Sequence, residues 1–242
     1  MHEVRVACEG RHLLTELPSV RRIRAVNNRL RKSQGEFVPK TKLPIIDELI
    51  LTVLSQNTSD VNRDRAYAGL RERFPTWEQV RRAQSSHIAA AIRPGGIAEV
   101  KSRRIKAILQ SIYDSEGSLD LRRVRSLSDA EAVDYLCALP GVGPKTAACV
   151  LVFSMGRPAF PVDTHVHRVV RRLGWVPEKA SAEMTHQLLG PRVPPEIRYE
   201  LHIHLIEHGR TICKANMPLC SRCPLLDVCV AGPKFLATGR GR

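Results

Sequence analysis

The 242-residue sequence lacks any apolar run approaching the roughly 18 residues of a membrane-spanning helix. Its first residues, MHEVRVACEGRHLL, lack the apolar core of a secretion signal. The expectation is a soluble, cytoplasmic protein with no membrane partner. There is no repeat of fixed period and no low-complexity tract. No convincing series of alternating apolar and polar residues joined by hairpin turns is present, which argues against a sheet protein. Acidic residues are scarce: 24 Asp and Glu stand against 38 Lys and Arg, giving a net charge of +14. The remaining composition is ordinary for a globular chain, at 43% hydrophobic and 26% charged, and excludes collagen-like, mucin-like and wholly disordered proteins. A chain of this length suits one large domain or two small ones and needs no disulfide to fold.

The basic excess is the first positive clue, because a pI near 10.0 is the electrostatic footprint of a nucleic-acid-binding protein. A solvated basic surface without a polyanion partner is the alternative. The excess is unevenly placed. Residues 1–42 hold 10 basic and 4 acidic side chains, residues 43–154 hold 15 and 13, and residues 155–242 hold 13 and 7. If the two ends meet in space, they form one basic lobe beside a more neutral one.

The periodicity is helical nearly throughout, so the predicted fold class is all-α. Val20, Ile23, Val26 and Leu30 recur at helical spacing with arginines between them. After the breaker-rich SQGEFVPKTKLP, the run Ile45, Ile46, Leu49, Ile50, Val53, Leu54 forms a wide apolar stripe, with Pro44 placed to start the helix. Pro75 stands where another helix could begin. Ile105, Ile108, Leu109 and Ile112 make a further stripe, and Ser128 with Glu131 has the form of a capping box. Residues 1–17 show neither clear periodicity nor disordered composition.

Seven cysteines divide into two groups. Cys8, Cys137 and Cys149 are scattered, and the latter two sit in apolar helical stretches as core residues. Cys213, Cys220, Cys223 and Cys229 read C-x6-C-x2-C-x5-C. Four thiolates so close repel unless a cation or cluster neutralises them. Disulfides suit a reducing cytosol poorly. Structural zinc and an iron–sulfur cluster both accept four cysteines, and the spacing favours the cluster only moderately. The basic residues between Arg192 and Arg240 suit holding a loop against phosphates.

LPGVGPKTAACVL carries the most information. Gly141-Val142-Gly143 makes a tight turn, and Pro144 occupies the first position of the next helix. Such an α-hairpin lets backbone N–H groups at a helix start approach a phosphate, or it is simply a helix–helix turn. Lys145 falls in the first helical turn, where the positive dipole end and partial burial disfavour an ammonium ion. A neutral amine there could form a Schiff base with a sugar carbon; a phosphate salt bridge is the alternative. In PAFPVDTHVHRVVRRL, Asp163 or Thr164 caps a helix bearing Val166, Val169, Val170 and Leu173. A carboxylate at Asp163 could also act as a general base or stabilise a cationic sugar.

LPGVGPKTA, then VDTHVHRV, then the four-cysteine run, in that order and spacing, resembles the endonuclease III family of helix-hairpin-helix DNA glycosylases, over roughly residues 18–232. The resemblance implies two helical domains: a six-helix barrel-like domain over 43–154 with the hairpin, and a discontinuous iron–sulfur domain of 1–42 plus 155–242. It implies a bifunctional DNA glycosylase/AP lyase of base excision repair that removes oxidised pyrimidines and nicks the strand by β-elimination. Lys145 would be the nucleophile and Asp163 its acidic partner. Gly141, Val142 and Gly143 would grip a phosphate, and Cys213, Cys220, Cys223 and Cys229 would hold a [4Fe–4S] cluster. By register, Asn57, with Gln56 beside it, would fill the gap left by a flipped base, and Ile97 would wedge the opposite strand. The commoner form has glutamine at the Asn57 register. His165 and Arg168 would support Asp163 or touch DNA. The implied partner is double-stranded DNA with damaged pyrimidines or abasic sites, bound by a monomer. The rivals are a monofunctional mismatch glycosylase, against which Lys145 argues, and a non-enzymatic iron–sulfur DNA-binding protein.

Overall fold

The computed structural model describes residues 17–38 and 42–241; Cys8 and nearly all of the unassigned 1–17 stretch lie outside them. Among the described residues every regular element is helical. The α-helices, in chain order, are α1 Val20–Gln34, α2 Ile45–Ser55, α3 Asp60–Arg73, α4 Trp77–Arg82, α5 Ser85–Ala91, α6 Ala98–Glu116, α7 Asp129–Cys137, α8 Pro144–Val150, α9 Thr164–Arg172, α10 Ala182–Leu189, α11 Arg198–Thr211 and α12 Gly232–Ala237. A π-helical segment, Leu151–Met155, continues α8. No helix among the described residues is long and apolar enough to cross a membrane.

Local chemistry sets most helix starts. Ser19, Ser59, Thr76, Ser128, Asp163 and Ser181 each accept an N–H from the first turn of the helix they precede. Ser128 and Glu131 complete the capping box expected from the sequence. Thr76 and Gln79 form a second one, so α4 begins at Trp77 rather than at Pro75. Pro44 precedes α2 as its cap instead of occupying its first turn.

The apolar stripes converge on two cores. The first joins Ile45, Leu49, Ile50, Val53 and Leu54 of α2 to Leu70, Ile88, Ile105, Ile108, Leu136 and Val150, among others. The second joins Ile23, Val26 and Leu30 of α1 to Phe160, Val166, Val170, Trp175, Leu201, Leu205 and Leu225. Each fully buried Leu or Ile contributes about 1.5–3 kcal/mol, so α1 is held to the C-terminal helices mainly by this packing. Polar contacts fix its register. Arg31 donates to both Glu200 carboxylate oxygens at 2.7 and 2.5 Å, and Asn27 donates to Glu200 at 2.8 Å. Arg22 donates to the Leu173 carbonyl at 2.8 Å. The basic N-terminal helix therefore shares a core with the basic C-terminal segment. Between the two cores lies a cleft of ≈ 1140 Å³, lined from both sides. Asp60 of α3 and Arg210 of α11 span its rim in a bidentate pair at 2.6 and 3.1 Å.

Candidate active site and nucleic-acid interface

The glycine turn between α7 and α8 is built as its residues demand. Gly141 has φ +72, a conformation that L side chains rarely adopt, and a Cβ there would meet Arg104 Nε at 2.5 Å. Around Gly143 a Cβ would meet nothing within 4 Å, so this backbone faces open space. The Val142 side chain is buried in the first core, and its N–H is donated to the Leu139 carbonyl at 3.1 Å. Among the described residues, Gly141 and Gly143 donate their amides to no other backbone carbonyl. Of the three hairpin residues, Gly141 and Gly143 are thus the ones with N–H groups to offer a phosphate.

Lys145 stands half-buried in the first turn of α8. Asp163 is the N-cap of α9, its Oδ1 accepting the Val166 N–H at 2.7 Å. The 17 residues between them are folded back by the π-helical segment and the extended stretch after it, so both residues line the one cleft. Gln56, Asn57 and His165 line it as well. Burial of Cys149 was expected but its place on the cleft wall was not, and buried Glu48 was not anticipated at all. Cys149, one turn beyond Lys145, has its thiol pushed up to about 11 by burial, against the pull of Lys145. Glu48 of α2 accepts the Thr52 hydroxyl at 3.2 Å. Burial pushes the Glu48 carboxyl up to about 7, against that hydrogen bond and the charges of Arg63 and Lys145. Buried His202 shares the wall, held neutral by burial, its Nδ1 2.9 Å from the Pro161 carbonyl.

The two wedge candidates stand out in the backbone. Among the described residues Asn57, at φ 52, and Ile97, at φ 41, are the only non-glycine residues with positive φ. Asparagine tolerates this region, whereas a β-branched isoleucine there is strained by about 1–3 kcal/mol. Both side chains are exposed. Their loops share a support that the sequence reading missed. Lys101 is 1% exposed, and its ammonium donates to the carbonyls of Leu54 and Gly95, each at 2.7 Å. It thereby ties the chain just before Gln56 to the chain just before Ile97. Gln56 in turn accepts Arg104 Nη1 at 2.6 Å, and Arg104 packs under Gly141, so the wedge loop and the hairpin rest on one arginine. A signal existed in the sequence: Lys101 lies in register with Ile105, Ile108 and Ile112, at core positions of α6.

Arg168 turns inward. Its guanidinium donates to the Gly209 and Cys213 carbonyls at 2.7 and 2.9 Å and contacts His165 Nδ1 at 3.1 Å. Of the two roles expected for it, the structure gives it the supporting one, bracing α9 against α11 and the cysteine loop.

Cys213, Cys220, Cys223 and Cys229 line one apolar cavity with Leu173, Leu225 and Phe235. All are free thiols. The surroundings suit sulfur anions. Leu225 N–H points at Cys223 Sγ at 3.4 Å, Gly232 N–H at Cys229 Sγ at 3.3 Å, and Arg172 Nη1 at Cys213 Sγ at 3.3 Å. Burial and the neighbouring sulfurs raise the Cys220, Cys223 and Cys229 thiols above their ordinary values, Cys223 to about 11. Among the described residues no three His, Cys, Asp or Glu side chains converge on a point that would hold a single metal ion. A Cβ on Gly232 would lie 3.6 Å from Cys229 Sγ, and one on Gly241 only 3.2 Å from Cys220 Sγ, so backbone closes tightly around the sulfurs.

Comparison with known proteins agrees with this geometry. The model of the HhH-GPD superfamily of base excision DNA repair proteins matches residues 50–195. Endonuclease III of Thermotoga maritima is 36% identical over 181 residues, covering 75% of this chain and 80% of that protein. An Arabidopsis thaliana protein named as a candidate DNA glycosylase is 41% identical over 175 residues; the match spans 72% of this chain but only 60% of the plant protein. A solved structure of a trapped endonuclease III–DNA covalent intermediate superposes with a TM-score of 0.78 at 29% identity, covering 91% of this chain and 100% of that one. An all-helical fold with a glycine hairpin leading into a lysine-bearing helix, matched in this way, defines a base-excision DNA-repair glycosylase of the HhH-GPD class. Within that class the chain belongs to the endonuclease III family.

Proposed function

We propose that the protein is a bifunctional DNA glycosylase and AP lyase that removes oxidised pyrimidines from duplex DNA and then nicks the strand. The observation that carries this reading is the placement of Lys145 and Asp163 on one cleft between the two cores, from helix starts 18 residues apart in sequence. A nucleotide turned out of the duplex would enter the cleft. The Lys145 amine attacks the sugar carbon C1′, and the base departs with the electrons of its bond. Asp163, an anion at the edge of the same cleft, stabilises the positive charge that builds on the sugar. Ring opening leaves a Schiff base on Lys145. Loss of a C2′ proton and of the 3′ phosphate by β-elimination then nicks the strand.

DNA is held by features that do not read sequence. The Gly141 and Gly143 amides face a phosphate at the start of α8, and the basic flanks supply counter-charge. Asn57 and Ile97 enter the duplex from their strained loops, tied at a fixed separation by Lys101. The two cores support a division into a hairpin domain at 43–154 and a discontinuous domain of 1–42 plus 155–242.

The four cysteines fit a [4Fe–4S] cluster better than zinc. A single zinc needs four sulfurs about 2.3 Å from one point. Sulfurs around a cavity, three of the four backed by an N–H donor or a cationic side chain, fit a polynuclear centre. When bound, the cluster neutralises the four thiolates and cross-links the loop between α11 and α12; the chemistry on DNA stays with Lys145 and Asp163. Duplexes carrying single defined lesions test the function. The protein should release oxidised pyrimidines and cleave the strand at the same sites. Release of a mispaired normal base without cleavage would instead establish a monofunctional enzyme.

A further inference from the structure

The amine reading of Lys145 leaves a proton to be placed, because an ammonium ion has no lone pair with which to attack C1′. Asp163 is already engaged as a helix cap through its Oδ1. A second carboxyl lies on the same cleft. Glu48 is 8% exposed, in the first turn of α2, and its only side-chain hydrogen bond among the described residues is the one it accepts from Thr52. Among the described residues it makes no ion pair. A glutamate in an otherwise apolar stripe, buried without an ionic partner, is costly to the fold and calls for a use.

We propose that Glu48 is the proton acceptor for Lys145, a role that rests on the lyase function proposed above. In this step one proton moves from Nζ to a Glu48 carboxylate oxygen. The lone pair left on nitrogen forms the bond to C1′, and the bond from C1′ to the base breaks with its electron pair leaving on the base, which takes a proton from water. Glu48 ends as a neutral acid and returns its proton to solvent when product leaves. Closure of DNA over the cleft favours the transfer, since exclusion of water penalises both the ammonium and the carboxylate. The transfer also leaves Asp163 as the anion facing the cationic sugar, so the two carboxyls have separate tasks.

The groups facing Glu48 agree with this use. Arg63 and Tyr67 approach from α3, and Lys145 and Cys149 from α8. Asp163 and His202 share the cleft wall. The Leu151–Met155 segment carries no titratable side chain, and the α6 lysine, Lys101, is bound at the far end of α2 through the Leu54 carbonyl. With its proton affinity near neutrality, Glu48 is ionised above about pH 7 and neutral below it, which suits a general base at cellular pH.

The test is the rate of borohydride-trapped adduct on an abasic-site duplex, under single turnover, from about pH 5.5 to about pH 9.5. In the unaltered protein the rate should rise through about pH 7. Glu48→Gln keeps the size and the Thr52 contact but cannot take a proton. It should be about 100-fold slower at pH 7 and should lose the rise through about pH 7. Glu48→Asp should recover the neutral limb in part. Affinity for a duplex with a non-reactive abasic analogue should be unchanged in both variants, which separates chemistry from folding. Thr52→Val supplies an independent check: removing the hydroxyl that favours ionised Glu48 should move the limb to higher pH. A Glu48→Gln profile superimposable on that of the unaltered protein overturns the proposal, as does an equal loss at every pH. Absence of any adduct from the unaltered protein overturns the lyase function itself, and the role of Glu48 falls with it.

Discussion

Asp163 has two separable tasks, and substitution can part them. Its Oδ1 accepts the Val166 N–H at 2.7 Å and starts α9, whose Val166, Val169 and Val170 are buried in the second core. An N-cap of this kind contributes about 1 kcal/mol over alanine, and asparagine caps as well as aspartate. In a chain of this size 1 kcal/mol corresponds to a shift of about 2–4 °C in Tm. Asp163→Ala should therefore lower Tm by that amount, and Asp163→Asn by no more than about 1 °C. Both remove the anion from the cleft. Both should slow base release and adduct formation by at least about 100-fold, the usual scale for a lost acid–base or charge-stabilising group. Thermal unfolding and single-turnover trapping on the same preparations give the two readouts. An Asp163→Asn protein as active as the unaltered one would reduce Asp163 to a helix cap and refute the chemical role.

Three further outcomes follow from other parts of the molecule. Lys101→Met keeps the stem but strands the Leu54 and Gly95 carbonyls; it should cost about 2–4 kcal/mol and loosen both wedge loops together, as faster hydrogen exchange at residues 55–58 and 95–98 would show. Glu48 has its carboxyl raised from 4.5 to about 7 in the fold, so its contribution to stability is fully present below about pH 4.5 and is lost as pH rises through 7. Glu48→Gln should accordingly be the more stable protein at about pH 8, by up to a few kcal/mol in denaturant titration, with the advantage over the unaltered chain fading toward about pH 4. Protein purified without chelators should be brown, with broad absorption in the blue, and bleaching it should release the loop from Cys213 to Gly232; a colourless, zinc-loaded protein would contradict the cluster.

The helices were legible because each is an amphipathic stripe closed by its own cap. Ile105, Ile108, Leu109 and Ile112 announce α6, and Ser128 with Glu131 announces α7. The hairpin was legible for a similar reason, since Gly141 needs a positive φ and Pro144 can open but not continue a helix. The meeting of Lys145 with Asp163 was legible only through family resemblance. The π-helical turn and the extended stretch that bring them together have no periodic signature. Glu48 and Lys101 escaped notice because their importance lies in what surrounds them. A glutamate and a lysine look unremarkable in a chain with 26% charged residues until both prove to be buried. Arg168 shows the converse. An arginine in a basic helix invites a phosphate contact, but carbonyls at Gly209 and Cys213 already occupy its guanidinium.

The central claim is that the Lys145 amine bonds to the sugar. Reduction with borohydride during reaction on an oxidised-pyrimidine duplex, followed by proteolysis and mass spectrometry, should place the sugar remnant on the peptide containing Lys145, and Lys145→Gln should yield none. A remnant on another residue, or an undiminished adduct from Lys145→Gln, would contradict the account.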